Sequence, residues 1–333
     1  MRRLLACALL AASCATAPHP TRVDVRVVTD EADAVLNILD KRAAKQAIAE
    51  ADWQRLFASE GFVRLEKREK SLKREFGEET IRKFVLSDEL LAKRPMLARI
   101  LADWKHADLT AAAQRALAYL PPNATIRAKI YPVIKPATNS FVFELDTDPA
   151  IFKYIEDEPR DEFERTMSHE LHHVGFSVCS EDNGSLPPNI RRAVNWIGAF
   201  GEGFAVLAAA GGPDQPPQAR YLNVWTEEMA KLDPNFRAVD SFLLDVAEGR
   251  LSEEATQEKA FTFFGMLGPW YTVGWKVDTV IEKALGREVL IDAMCHPQKL
   301  LATYSRAADL YERGTGEKLP RWSARLVELV SAP

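Results

Sequence analysis

The sequence predicts a mainly α-helical protein with one small antiparallel β-sheet, an α+β fold. Apolar residues recur at intervals of three and four along most of the chain, which is typical of amphipathic helices, whereas a two-residue alternation is confined to one region near the middle. The 333 residues include 47% hydrophobic and 27% charged residues. This composition is that of a folded globular protein and excludes a disordered chain.

Residues 1–17 are predicted to be a signal peptide. Two arginines precede an apolar run, Leu4 to Ala12, which is too short to span a bilayer because spanning takes about 20 residues. Two processing sites stay open. Leu10 to Cys14 resembles a bacterial lipobox, in which Cys14 would be lipidated, and cleavage after Ala17 is the alternative. Either site predicts export, as a membrane-anchored lipoprotein or as a periplasmic or extracellular protein.

Export determines how the later cysteines are interpreted. Cys179 and Cys295 would both lie in an oxidising compartment, where disulfides persist. A disulfide between them and two free thiols are both compatible with the sequence.

Residues 24–120 are predicted to form an N-terminal helical region. Apolar residues from Val35 to Ile48 recur at helical intervals, and Phe62 to Phe84 repeats the pattern among many charged residues. Those charges indicate a solvated helix face rather than a ligand site. Pro121 and Pro122 end the region.

A short stretch after the prolines predicts β-structure. Apolar and polar residues alternate from Ile126 to Tyr131, and Ser140 to Leu145 follows a turn at 136–139. Two such runs around a turn predict a β-hairpin. This hairpin and the helices after it form the second predicted region, 121–333.

The helical period returns at about Glu158. An apolar stripe at helical spacing then consists of Phe163, Met167, Leu171 and Val174. A further helix is predicted from about Ile190 to Ala210, ending at Gly211. Proline and glycine residues divide the rest of the chain, to Val330, into several more helices.

The first of these helices contains the motif His-Glu-x-x-His. His169 and His173 lie one turn and about 40° apart, so both imidazoles can bind one cation from the same side. Two imidazoles and a carboxylate suit Zn²⁺ and leave one position open. Glu170 cannot share that geometry, but it can act as general base towards the attacking water. His172 is left over, as a neighbour of the site or a surface group.

A third zinc ligand has to come from elsewhere. The metzincin motif would place a histidine at position 179, where the chain has Cys179, so a thiolate is one possibility. The better candidate is Glu202, 29 residues after His173 on the predicted next helix. Small residues on that helix would allow a close approach: Gly198, Ala205 and Ala209. The alternative is a glycine-rich helix with an incidental glutamate.

These motifs resemble those of the gluzincin metallopeptidases, in which a helix with His-Glu-x-x-His is followed by a helix with a glutamate in a Glu-Gly-x-Ala context. The resemblance implies a zincin-like catalytic core and an edge strand that binds extended substrate. More narrowly, Glu162 to Ala209, Gly268 to Trp275 and Ile281 to Arg287 resemble a little-studied bacterial family described as zinc-dependent peptidases. That resemblance covers about half the chain.

In gluzincins a tyrosine or histidine from the C-terminal helices often stabilises the oxyanion. The resemblance therefore points to Tyr271, whose alternative role is an aromatic core residue beside Trp270 and Trp275. His296 is a weaker candidate and is better explained as a helix-end residue.

The sequence thus predicts a zinc metallopeptidase that hydrolyses peptide bonds, with metal ligands His169, His173 and Glu202 and catalytic residues Glu170 and Tyr271. Two alternatives stay open: an exported zinc-binding lipoprotein with a non-catalytic site, and a zinc amidase acting on cell-wall material. The expected partner is a peptide or protein substrate. A net charge of −5 argues against nucleic acid, and membrane contact would come only through an N-terminal lipid.

Overall fold

The computed structural model describes residues 21–136, 140–145, 147–179, 184–215, 217 and 221–331. It is mainly helical with one small sheet, which confirms the predicted α+β class. The predicted signal peptide, with Cys14, lies outside the described residues, and so do residues 137–139 of the predicted turn.

The described residues contain four strands and sixteen α-helices. The strands are β1 (Val23–Val27), β2 (Ile126–Val133), β3 (Phe141–Phe143) and β4 (Ala150–Tyr154). The helices between β1 and β2 in the chain are α1 (Asp30–Ala43), α2 (Glu50–Phe57), α3 (Glu60–Ser71), α4 (Glu78–Val85), α5 (Asp88–Trp104) and α6 (Leu109–Leu117). The helices after β4 are α7 (Arg160–Phe176), α8 (Pro188–Ile197), α9 (Gly201–Ala210), α10 (Leu222–Met229), α11 (Leu232–Ala247), α12 (Glu253–Phe261), α13 (Pro269–Leu285), α14 (Arg287–Cys295), α15 (Pro297–Thr315) and α16 (Ala324–Ser331).

The sheet is mixed rather than antiparallel, and the predicted hairpin is wrong in its pairing. The strand order is β1-β2-β4-β3, with β2 parallel to both neighbours and only β3 antiparallel to β4. The hairpin joins β3 to β4 instead, through a turn at Glu144. The reason is burial: β4 is buried along Ala150–Lys153 and takes a central position, whereas β3 is half-exposed and lies at the edge.

Strand β1 was not predicted. Val23–Val27 alternates between half-buried and exposed residues and pairs in parallel with Ile126–Ile130. It therefore links the start of the predicted N-terminal helical region to the sheet of the following region.

Two hydrophobic cores lie on either side of the junction between α7 and α9. The first contains side chains from α1 to α6, β2, β4 and α7, and so includes residues from both sides of position 120. The second contains α8, α9, α11 and α13 to α16. Phe176, at the end of α7, packs against both cores.

The predicted helices around the motif are present. The stripe from Phe163 to Val174 is buried in the first core, as its spacing predicts. The predicted helix from Ile190 to Ala210 is two helices, α8 and α9, joined by a 3₁₀ turn at Gly198–Phe200. It ends at Gly211, whose φ of 86° suits glycine.

Among the described residues, one helical stretch is long and apolar enough to cross a membrane. It is Pro188–Ala210, with 23 residues and a mean hydropathy of 1.3. Since 67% of it is buried inside the protein, it has the surroundings of a core helix.

Helices α9 and α13 touch through their backbones. A Cβ atom on Gly203 would lie 2.1 Å from the backbone nitrogen of Trp275 and 2.4 Å from the carbonyl carbon of Gly274. On the facing helix, a Cβ on Gly274 would lie 3.3 Å from the Cα of Gly203. Only glycine at position 203 permits this contact.

Replacing Gly203 with alanine should therefore force the two helices apart. We expect a loss of about 1–3 kcal/mol or more in the free energy of unfolding, as for other overpacked sites. The matched control is Gly198→Ala, because Gly198 has ordinary helical angles and no atom within 4 Å of a Cβ there. Urea unfolding of both variants measures the difference; equal midpoints would show that the α9–α13 contact is not tight.

Candidate metal centre

Three side chains from two helices meet in a small triangle. His169 and His173, on α7, have their Nε2 atoms 3.1 Å apart. Glu202 Oε2, on α9, lies 3.2 Å from His169 Nε2 and 3.3 Å from His173 Nε2. The structure thus brings together the three residues that the sequence singled out as metal ligands.

The donor atoms of this triangle fit a zinc ion. Tetrahedral zinc with bonds of about 2.0–2.1 Å to nitrogen and oxygen holds its ligands about 3.3 Å from one another. Two imidazole nitrogens and one carboxylate oxygen at 3.1–3.3 Å match both the spacing and the chemistry. All three side chains are partly exposed, so a fourth position can face the cleft.

The start of α9 determines where Glu202 lies. The 3₁₀ turn at Gly198–Phe200 ends at Gly201, and Glu202 is in the first turn of the new helix. Gly198 was expected to allow the approach to α7, but no atom lies within 4 Å of a Cβ there. The small residue that allows close packing is Gly203, and its partner is α13.

Glu170 lies beside the triangle at the wall of a cleft. The cleft encloses about 350 Å³, and its wall on α7 includes His169 and Glu170. The Glu170 side chain is 9% exposed. A carboxylate next to the metal ligands and open to the cleft can accept a proton from a group held there.

Tyr271 also lines the cleft. It is half-buried near the start of α13, and its ring centroid lies 6.3 Å from that of His169. The neighbouring Trp270 is the aromatic core residue, fully buried with its indole N–H donating to the carbonyl of Ala260. Tyr271 therefore lines the cleft, whereas Trp270 belongs to the core.

The ionisable side chains of the cleft shift one another's pKa values. Burial raises the pKa of Glu202, but the charge of His173 and hydrogen bonds from both ligand histidines outweigh it and hold the pKa well below its usual range. Burial also raises the pKa of Glu170, against the opposing charges of His169 and His173. Burial and the charges of Glu202 and Glu170 raise the pKa of Tyr271, so its phenol keeps its proton. An ionised Glu202 between two imidazoles favours a cation.

His172 is a core residue, not a surface group. It is 0% exposed, and its ring stacks on Phe176 and meets Phe204 edge-on at 4.7 Å. Burial lowers its pKa well below the usual value, so the imidazole is neutral. Its role is to fill the space between α7 and α9 behind the triangle.

Cys179 is bonded to Cys295, so the alternative of a thiolate ligand is wrong. The disulfide joins the turn after α7 to the end of α14, with the Cα atoms 4.6 Å apart. Next to it, His296 Nδ1 donates a hydrogen bond to the carbonyl of Asp292, at 2.6 Å, as a helix-end residue.

One family model matches most of the chain. It covers residues 43–311 and is described as "Putative zinc dependent peptidase (DUF5700)". The chain belongs to this family. The narrower resemblance predicted from the sequence is thereby confirmed, and zinc is the cofactor that the family's description names. No curated protein and no solved structure matches the chain.

The sequence did not reveal two cations that line the cleft of this family member. Lys153, on β4, is 3% exposed, and its Nζ lies 2.7 Å from Glu156 and 2.5 Å from Glu158. The sequence signal that could have revealed this cluster is a lysine inside an apolar strand, with two glutamates after the lysine. Arg165, on α7, also lines the cleft, one turn before His169.

Replacing Glu202 with alanine should remove most of the bound zinc, because two imidazoles leave the ion under-coordinated. Zinc per chain, measured by mass spectrometry after dialysis, checks this. The control is the double variant Cys179→Ala/Cys295→Ala, which should keep its zinc but lose about 2–4 kcal/mol of stability with the disulfide. Zinc bound as tightly by Glu202→Ala as by the natural chain would exclude Glu202 from the ligand set.

Proposed function

We propose that this chain is a gluzincin-type zinc metallopeptidase, in which Glu170 is the general base for hydrolysis of a peptide bond. The observation that carries the proposal is the triangle of donor atoms, with sides of 3.1–3.3 Å, beside a carboxylate in the same cleft. A site that only bound zinc would not need Glu170 at the cleft wall.

Each side chain has one role in this proposal. His169, His173 and Glu202 would hold the zinc ion, which when bound polarises the scissile carbonyl and acidifies the attacking water. Glu170 would accept a proton from that water and then donate it to the leaving amine. This role is supported by the position of Glu170, which follows His169 directly in the sequence and lines the same cleft.

Tyr271 would donate a hydrogen bond to the oxyanion of the tetrahedral intermediate. Tyr271 lines the cleft from α13, near His169, and its phenol keeps its proton because its pKa is raised. A donor already in position needs no reorganisation as the charge develops.

The substrate would bind in an extended form along β3. This strand is at the edge of the sheet, so one side of its backbone can pair with a peptide. Ser140, directly before β3, lines the cleft. A peptide paired with β3 would thus lead into the cleft.

Export is the proposed localisation, with an acylated Cys14 as the membrane anchor. The disulfide between Cys179 and Cys295 supports an oxidising compartment, where such bonds persist.

Glu170→Gln should reduce turnover by about 10²–10⁴-fold with zinc still bound, because glutamine keeps the shape but cannot accept the proton. The assay follows cleavage of a peptide library by mass spectrometry, with and without a chelator. Glu164→Gln is the matched control, since Glu164 is on the same helix but binds the backbone N–H of Asp108 outside the cleft. A zinc-loaded Glu170→Gln protein with full turnover would contradict the mechanism.

The same assay separates the alternatives. Zinc-loaded natural protein that cleaves no peptide would favour a non-catalytic zinc protein. Cleavage of cell-wall peptides alone would favour the amidase.

Cys14→Ser should release the protein from the membrane into a soluble fraction, because the thiol that would carry the lipid is absent. Fractionation of cells expressing both forms measures this. Natural protein that is already soluble and begins at Pro18 would exclude lipidation.

A further inference from the structure

Arg165 is a cation of the cleft without a partner. It lies four residues before His169 on α7, and residues four apart share one helix face. Both side chains line the cleft. Arg165 is half-buried, yet within the described part of the chain it makes neither an ion pair nor a hydrogen bond. Its guanidinium therefore has donors free for a bound molecule.

The other cation of the cleft is neutralised. Lys153 lies between the carboxylates of Glu156 and Glu158, at 2.7 and 2.5 Å. Glu164, the acidic residue next to Arg165 on its own helix, accepts a hydrogen bond from the backbone N–H of Asp108. An anion that enters the cleft thus meets one uncompensated positive side chain, Arg165.

The chemistry of a guanidinium specifies the anion. Its planar fork matches a carboxylate in a bidentate pair, and such charge-assisted pairs are stronger than neutral hydrogen bonds. In a peptide, carboxylates occur at the C-terminus and on aspartate and glutamate side chains. The cleft also has apolar lining residues for a neighbouring side chain: Trp225, Met266 and Leu267.

We propose that Arg165 binds a carboxylate of the substrate and makes the peptidase selective for peptides that carry one near the scissile bond. This inference rests on the proposed function. One helical turn is about 5.4 Å, and an extended peptide advances about 3.3 Å per residue. Long side chains on helices lean towards the helix N-terminus, so the carboxylate would lie about two to three residues from the scissile bond.

Paired peptides test the selectivity. Each pair differs in one group: a free or amidated C-terminus, or an internal glutamate or glutamine. We expect kcat/KM to be about 10–100-fold higher for the carboxylate member of one type of pair, from the strength of hydrogen bonds between charged groups. The type of pair that responds distinguishes a C-terminal carboxylate from an acidic side chain.

Variants assign the selectivity to Arg165. In Arg165→Gln the ratio within each pair should fall to about one, and Arg165→Lys should retain part of it as a point charge. Arg306→Gln removes the same charge from an exposed position on α15, outside the cleft, and should leave the ratio as in the natural chain. An unchanged ratio in Arg165→Gln would overturn the inference.

A binding measurement separates this inference from the proposed function. The same paired peptides are mixed with the Glu170→Gln chain, with and without Arg165→Gln, and bound peptides are identified by affinity selection and mass spectrometry. Enrichment of carboxylate members that depends on Arg165 supports the inference even if the natural chain cleaves nothing. Equal binding of both members, or no binding, overturns it whether or not peptides are cleaved.

Discussion

Glu202 can lie beside both His169 and His173 only because α7 and α9, two helices from different hydrophobic cores, are in close contact. Helix α7 belongs to the core built with the sheet, and α9 belongs to the core of the C-terminal helices. His172 fills their junction against Phe176 and Phe204. Because zinc–ligand bonds are short, about 2.0–2.2 Å, the position of the Glu202 carboxylate relative to the two histidines depends on how the two cores pack against each other.

Two further contacts restrain that junction. The backbone contact between Gly203 and Gly274 holds α13 against α9, and Tyr271 on α13 lines the same cleft as Glu170. The disulfide between Cys179 and Cys295 ties the chain after α7 to the end of α14. Both contacts therefore help to keep the proposed metal ligands, the proposed base and the proposed oxyanion donor in their relative positions.

Local patterns in the sequence predicted the site better than the sheet. A spacing of four residues determines the relative position of His169 and His173 on any helix, and the family match agrees with the zinc chemistry inferred from it. Strand pairing depends on burial in the folded chain, and so β4, which the sequence did not single out, lies between β2 and β3, the two strands that were predicted to pair. The sequence predicted a close approach of α9 to α7 through Gly198, Ala205 and Ala209, and it did not predict the contact of Gly203 with α13, because the pattern around Glu202 does not reveal which neighbour each small residue faces. The free charge of Arg165 could not be predicted, since being unpaired depends on the position of every nearby acid.

In the proposed site, α7 and α9 together would hold one zinc ion. Crystals of the zinc-loaded protein, measured at the zinc absorption edge, locate the ion directly in an anomalous difference map. We expect a peak about 2.0–2.2 Å from the Nε2 atoms of His169 and His173 and from a carboxylate oxygen of Glu202. A peak bound to the two histidines with Glu202 turned away, or a peak elsewhere in the chain, would contradict it.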